Sequence, residues 1–153
     1  MIDVCESTSI VIFGASGDLT WRKLIPALYN NFKKGRLSEC ANIVGFARRP
    51  YSNEAFRVYL REGVAQFSAE TFDPTVWDKF AERLHYFQGN LDQADDFPKL
   101  NSFLLNLEAG AANRLFYLAT APEFYGSVSQ HLGAADMSRE ETNGAWRRII
   151  IEK

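Results

Sequence analysis

The residues best suited to chemistry form a short turn at residues 14–19, with the sequence Gly-Ala-Ser-Gly-Asp-Leu. The turn follows the apolar run Ser9–Phe13, which predicts a buried strand, and it precedes a predicted helix. Backbone N–H groups at the start of a helix are unpaired and lie at the positive end of its dipole, so this junction can bind a phosphate. Asp18 is predicted to cap the helix with its carboxylate. The alternative is that the glycines only turn the chain.

A pair of arginines, Arg48 and Arg49, directly follows the second predicted strand, Asn42–Ala47. An NAD site usually has an acidic residue at this position, which accepts a hydrogen bond from the ribose 2′-hydroxyl. A carboxylate would repel a 2′-phosphate, whereas a guanidinium can bind it with two hydrogen bonds. The sequence therefore favours NADP over NAD, the alternative being that both arginines are merely solvated.

Strands and helices alternate along the whole chain, which we interpret as one domain spanning residues 1–153. The predicted strands cover residues 9–13, 42–47, 84–88, 114–119 and 146–152. Helices are expected after Asp18, from Ser52 to about Gln66, after Asp73, from Asp95 to Leu107, and from Pro122 to about Leu132. Short strands separated by helices must pair in parallel. We predict an α/β fold, a doubly wound, Rossmann-like, mostly parallel sheet with helices on both faces and the first strand in the middle.

The composition is that of an ordinary globular domain, with 46% hydrophobic and 24% charged residues. A formal net charge of −2 gives no basic field for nucleic acid or a membrane surface. No signal peptide and no metal-ligand pattern are apparent. We expect Cys5 and Cys40 to be reduced thiols in a cytoplasmic protein.

Four segments, taken together, carry a family resemblance. They are Ile-Phe-Gly-Ala-Ser-Gly-Asp-Leu at 12–19 with Arg-Lys-Leu at 22–24, Ile-Val-Gly-Phe-Ala-Arg at 43–48, Asn-Arg-Leu-Phe-Tyr-Leu-Ala at 113–119, and Arg-Ile-Ile-Ile-Glu-Lys at 148–153. In this order they resemble the amino-terminal, NADP-binding part of the glucose-6-phosphate dehydrogenases. The resemblance covers almost the whole chain, and it is the combination rather than any one segment that is specific.

The resemblance implies roles for particular residues. The positions that match cofactor-binding residues of the family are Gly14, Ala15, Ser16, Gly17, Asp18, Leu19, Arg48, Asp92, Tyr117 and Lys153. Arg48 matches the arginine that holds the 2′-phosphate, and Lys153 matches a lysine that contacts both sugar substrate and cofactor. Tyr117 could equally be a core aromatic residue, Asp92 a turn-forming residue, and Lys153 a solvated side chain.

The implied reaction is oxidation of glucose 6-phosphate at C1 to 6-phosphogluconolactone, with hydride transfer to NADP in the oxidative pentose phosphate pathway. The family's catalytic His-Asp pair, most of its sugar site and its subunit interface follow later in the chain. We therefore expect no catalytic residue here, no turnover by this chain alone, and a homo-oligomer only for the full-length protein. His85, placed before the third strand, and His131, at a helix end, are interpreted as structural or surface residues.

Two other functions stay open at this point. One is a different NADP-linked reductase, such as a short-chain type, although the Tyr-x-x-x-Lys pair of that class does not occur in residues 118–153. The other is a non-catalytic dinucleotide-binding module, because a fold does not fix a function.

Overall fold

The computed structural model describes residues 7–108, 110–140 and 144–151. Within these residues the strands form one parallel sheet with the order β3-β2-β1-β4-β5. The strands are β1 (Thr8–Phe13), β2 (Ala41–Ala47), β3 (Leu84–Gln88), β4 (Asn113–Leu118) and β5 (Arg147–Ile151). The predicted α/β fold is confirmed, with the first strand at the centre of the sheet.

Helices connect successive strands. They are α1 (Ile25–Lys33), α2 (Asn53–Phe67), α3 (Pro74–Ala81), α4 (Asp96–Leu107) and α5 (Tyr125–Ala134). A π-helical segment, Thr20–Leu24, leads into α1, and a 3₁₀ turn, Pro122–Phe124, leads into α5. The sequence pattern located every helix but did not reveal these two irregular starts.

Local capping explains several helix boundaries. The Ser52 hydroxyl accepts a hydrogen bond from the Ala55 N–H at 3.1 Å, as predicted for the start of α2. The prediction for Asp18 is wrong, because this residue already lies within the first helical turn and its carboxylate pairs with the Arg22 guanidinium at 3.3 Å. An exposed carboxylate four residues before an arginine meets that side chain on the helix surface.

Each face of the sheet has its own apolar core. On one face, α1, α2 and α3 cover Ile10, Ile12 and Ile43, and on the other, α4 and α5 cover Val11 and Phe13. Neighbouring strand residues point to opposite faces, so β1 contributes to both cores. The predicted helices on both faces are confirmed.

Two smaller expectations are wrong. Cys40 is disulfide-bonded, so it is not the reduced thiol that the sequence suggested. His85 lies within β3 rather than before it. His131 lies in the last turn of α5, as expected. Among the described residues, no helix is long and apolar enough to cross a membrane.

Candidate functional site

A cleft of about 350 Å³ opens at the carboxyl edge of the sheet. Its walls are the segments that follow β1, β2, β3 and β4, which meet there because parallel strands end at the same edge. The chain runs outward from β1 to β2 and β3, then returns to β4 on the other side of β1. Ligands of doubly wound folds bind at this point, where the strand order reverses.

The turn at residues 14–17 and the start of the helix that follows it have unpaired N–H groups. The N–H groups of Gly14 and Ala15 donate to the Phe46 carbonyl at 3.0 and 3.2 Å, and that of Gly17 donates to the Gly14 carbonyl at 3.0 Å. Within the described part of the chain, the N–H groups of Ser16, Asp18 and Leu19 have no acceptor. Free donors at the start of a helix match the chemistry of a phosphate.

The two glycines of this turn serve different purposes. Gly14 has a φ of +86°, and a Cβ there would lie 2.4 Å from the Ala119 carbonyl oxygen of the neighbouring strand's end. At Gly17 a Cβ would meet only the Gly14 carbonyl, at 3.1 Å. Gly14 is therefore needed for folding, whereas Gly17 keeps the wall of the cleft open.

Ala15 belongs to the core rather than to the cleft. Its side chain is fully buried, and it lies over Gly45 in the middle of β2, where a Cβ would be 2.8 Å from the Ala15 Cβ and 2.5 Å from the Phe56 ring. The sequence pattern did not indicate a role for Gly45, although a glycine inside a strand is a signal of close approach. This glycine lets the turn and α2 pack directly on the sheet.

Arg48 and Arg49 are exposed and both line the cleft. Arg48 also borders an adjoining depression of about 300 Å³, which is formed with Gln88, Gly89, Asn90 and Asp96. The pair follows β2 and therefore lies between the loop after β3 and the turn after β1. Such an arrangement can hold one phosphate on backbone donors and a second on guanidinium groups.

Asp92 lies in the loop after β3 and lines the same cleft. Its N–H donates to the Asn90 side-chain oxygen at 2.9 Å, and the Asn90 N–H donates to the Asp96 carboxylate at 2.8 Å. The loop therefore has the side-chain-to-backbone bonds of a turn-forming segment. Its position is compatible with both roles considered for Asp92.

Three other candidate residues, Asp18, Leu19 and Tyr117, are not among those that line the cleft. Asp18 and Leu19 lie just beyond the turn, and their contribution is confined to backbone N–H groups. Tyr117 is half-buried and packs against the core of α1, α2 and α3, which favours its reading as a core aromatic residue. Lys153 lies outside the described residues.

The sequence pattern did not indicate several of the residues that line the cleft. They are Phe46, Asn90, Leu91, Thr120 and Phe124. Their common signal is position, since each ends or follows a strand at the carboxyl edge. No residue type among them indicates a ligand, so only the strand order could have selected them.

The donor set and the size of the cleft fit a dinucleotide phosphate. Small-molecule sites typically span about 300–1,000 Å³ and combine apolar walls with a few polar groups. Here Phe46 and Leu91 give apolar contact, while the turn and the arginines supply donors. Among the described residues, no group of three or more His, Cys, Asp or Glu side chains could hold a metal ion.

Comparison with known proteins adds independent findings. A family model described as "Glucose-6-phosphate dehydrogenase, NAD binding domain" matches residues 11–153. The chain is 42% identical to glucose-6-phosphate 1-dehydrogenase of Chlamydia muridarum over 99% of its own length, and 41% identical to that of Chlamydia pneumoniae over 97%. It spans only 31% and 30% of those two proteins.

Solved structures agree with the sequence comparison. A glucose-6-phosphate dehydrogenase in complex with its substrate glucose 6-phosphate superposes with a TM-score of 0.84 at 29% identity, over 100% of this chain and 32% of that one. The glucose-6-phosphate 1-dehydrogenase of Mycobacterium avium gives a TM-score of 0.77 at 26% identity, over 94% of this chain and 29% of that one.

Proposed function

The chain belongs to the family of the glucose-6-phosphate dehydrogenase NAD binding domain, and on that premise we propose that it binds NADP in the cleft at the carboxyl edge of the sheet. One observation carries the choice of NADP over NAD: Arg48 and Arg49 line the cleft at the end of β2. A carboxylate at that place would serve the ribose of NAD, and a guanidinium serves the 2′-phosphate of NADP.

In this proposal each part of the cleft binds one part of the cofactor. The free N–H groups of the turn bind the pyrophosphate, and Gly17 allows it to approach the backbone. Arg48 binds the 2′-phosphate, with Arg49 as a second cation beside it. Asp92 borders the cofactor from the loop after β3. Tyr117 lies on β4 and supports that strand by packing against the core under α1, α2 and α3.

For the longer protein we propose oxidation of β-D-glucose 6-phosphate at C1 to 6-phosphogluconolactone. NADP, when bound, supplies the hydride acceptor for the C1 hydrogen, and a general base takes the proton of the C1 hydroxyl. That base would come from the part of the relatives that this chain does not span. The chain itself positions the cofactor, and Lys153 would contribute to the sugar site. We also propose a cytoplasmic, homo-oligomeric enzyme, on the family resemblance alone.

A mutant cycle tests the role of the arginines. NADP and NAD are titrated into the wild-type chain, Arg48→Ala, Arg49→Ala and the double variant by calorimetry at two salt concentrations. One charge-assisted hydrogen bond contributes about 1.5–3 kcal/mol, so Arg48→Ala should weaken NADP roughly 10- to 150-fold. NAD lacks the 2′-phosphate, and its affinity should stay unchanged or rise slightly.

Arg36→Ala provides the matched control, because Arg36 is an exposed arginine in the loop after α1 and does not line the cleft. Arg36→Ala removes the same charge as Arg48→Ala. It should change the affinity for NADP and for NAD by no more than the loss of one positive charge anywhere on the surface would. If Arg48→Ala weakens NADP and NAD equally, the proposed discrimination is contradicted. Selective loss in Arg49→Ala alone would move the role to the neighbouring residue.

A further inference from the structure

Behind the cleft, three tyrosines form a contiguous group that we call the tyrosine cluster: Tyr51, Tyr59 and Tyr86. The Tyr51 and Tyr59 rings stack with centroids 5.8 Å apart, and the Tyr51 and Tyr86 rings meet edge to face at 5.5 Å. None of the three is among the residues that line the cleft. Two of them nevertheless bind the backbone of its walls.

Tyr86 lies on β3 and its hydroxyl reaches the loop that carries Arg48. It donates to the Ala47 carbonyl at 3.1 Å and to the Arg49 carbonyl, sharing its single proton between the oxygens on either side of Arg48. The Gln88 amide, two residues further along the same strand, donates to the Arg48 carbonyl at 3.1 Å. Three consecutive carbonyls of this loop thus accept hydrogen bonds from β3 side chains.

The ring of Tyr86 is itself firmly held. It packs against Phe56 at a centroid distance of 4.8 Å, and the backbone N–H of Tyr86 donates to the Asn53 side chain at 2.8 Å. Burial, with a smaller contribution from Tyr51, raises the pKa of Tyr86 to about 12, while Arg49 acts in the opposite direction. The hydroxyl therefore remains a proton donor throughout the physiological pH range.

Tyr59 makes the corresponding contact with the other wall. Its hydroxyl donates to the Ser16 carbonyl in the turn at 3.3 Å, and its own carbonyl accepts from the Trp21 indole at 2.9 Å. Tyr51 lies between them, stacked on Tyr59 and edge to face with Tyr86, and thereby links the two bracing contacts.

We propose that Tyr86 is a positioning residue for cofactor choice: by bracing the backbone on both sides of Arg48, it holds the guanidinium where the 2′-phosphate binds, while Tyr59 braces the phosphate turn. This inference rests on the proposed NADP site. An exposed arginine on an unrestrained loop would lose more conformational entropy on binding, so a braced loop gains affinity for the group that Arg48 contacts.

Loss of the Tyr86 hydroxyl and loss of the Tyr59 hydroxyl should change cofactor affinity in different ways. Loss of the Tyr86 hydroxyl loosens only the arginine loop, so it should reduce affinity for NADP and leave NAD unchanged. Loss of the Tyr59 hydroxyl loosens the turn that binds the pyrophosphate, which both cofactors share, so it should weaken both alike. A general loss of stability would not separate the cofactors in this way.

Tyr86→Phe should fold, because it keeps the ring and each carbonyl keeps another donor. The Ala47 carbonyl still accepts from the Gly89 N–H at 2.9 Å, and the Arg49 carbonyl from the Tyr51 N–H at 3.0 Å. Tyr29→Phe is the matched control, since the buried Tyr29 hydroxyl also binds backbone, at Thr71 and Asp73, and lines no part of the cleft.

The experiment titrates NADP and NAD by calorimetry into the wild-type chain, Tyr86→Phe, Tyr59→Phe and Tyr29→Phe, with thermal unfolding of each. Tyr86→Phe should weaken NADP about 2- to 10-fold with no change for NAD, the range expected for one neutral hydrogen bond. Tyr59→Phe should weaken both cofactors by a similar factor, and Tyr29→Phe neither. Gln88→Ala, which removes an exposed amide, should repeat the Tyr86→Phe result even if that variant folds poorly.

Combination with Arg48→Ala separates the two proposals. In that background Tyr86→Phe should cause no further selective loss, because the guanidinium that it positions is gone. The positioning role would be overturned if Tyr86→Phe caused its full loss of NADP affinity in the Arg48→Ala background as well. It would also be overturned if Tyr86→Phe and Gln88→Ala, each as a single substitution, weakened the binding of NADP and NAD equally. Neither result would contradict the NADP site itself. No selectivity change in Arg48→Ala, Arg49→Ala or the double variant would overturn both proposals.

Discussion

Substitutions at the two glycines of the phosphate turn should separate folding from binding. Gly14 takes a φ of +86°, and its Cβ position lies 2.4 Å from the Ala119 carbonyl oxygen and 3.0 Å from the carbonyl carbon. Gly17 has no positive φ, and a single neighbour lies within 4 Å of its Cβ position, the Gly14 oxygen at 3.1 Å. We therefore expect Gly14→Ala to lower the stability of the domain and Gly17→Val to weaken cofactor binding.

The magnitudes follow from these contacts. A left-handed conformation costs a residue with a Cβ about 1–2 kcal/mol, and an overpacked contact costs about 1–3 kcal/mol, so Gly14→Ala should lower the free energy of unfolding by about 2–5 kcal/mol. For a domain of this size, about 1 kcal/mol shifts Tm by 2–4 °C, which gives a drop of roughly 4–20 °C. Gly17→Val should cost less, about 1 kcal/mol, because Gly17 has no positive φ and its Cβ position has a single close neighbour, the Gly14 carbonyl oxygen at 3.1 Å.

Binding should show the reverse order. The two methyl groups of a valine at position 17 would occupy the space where a phosphate approaches the turn. We expect NADP affinity to fall at least about 100-fold, equivalent to about 2.8 kcal/mol. Thermal unfolding by circular dichroism and titration calorimetry with NADP provide the two measurements. The reasoning is refuted if Gly14→Ala leaves Tm unchanged, or if Gly17→Val folds and binds NADP like the wild type.

Two further predictions concern stability away from the cleft. The Arg114 guanidinium is bonded to both carboxylate oxygens of Glu108, at 2.8 and 3.1 Å. Glu108→Ala would leave this guanidinium buried without its charge partner. We expect chemical denaturation to show a free energy of unfolding lower by about 3–5 kcal/mol, with the ratio of NADP to NAD affinity unchanged. Burial, followed by repulsion from Arg57 and Arg83, lowers the pKa of His85 below its usual 6.5. The unfolded chain therefore binds more protons than the folded chain between the two pKa values. The free energy of unfolding should fall as the pH drops through about 6.5 toward the pKa of the folded state. His85→Gln should flatten this part of the profile of Tm against pH, and an unaltered slope would contradict the assignment.

The pattern of the sequence determined the elements and their pairing. Periodicity and capping residues are local properties, and they located all five strands and the helices between them within a few residues. Parallel pairing with β1 in the middle followed because each strand is separated from the next by a helix. The phosphate turn and Arg48 could be selected for the same reason, since each directly follows a strand that must end at the carboxyl edge.

Only the tertiary structure decided what individual residues of the site do. The sequence could not distinguish Gly14 from Gly17, because the difference is the approach of Ala119, which follows β4 far along the chain. It likewise gave no signal for Tyr86, whose hydroxyl binds carbonyls 37 and 39 residues away. Such contacts depend on strand register and on how helices pack against the sheet. A change of register by one residue would turn the Tyr86 side chain to the opposite face, so its role is fixed by the assembled sheet and not by its neighbours in sequence.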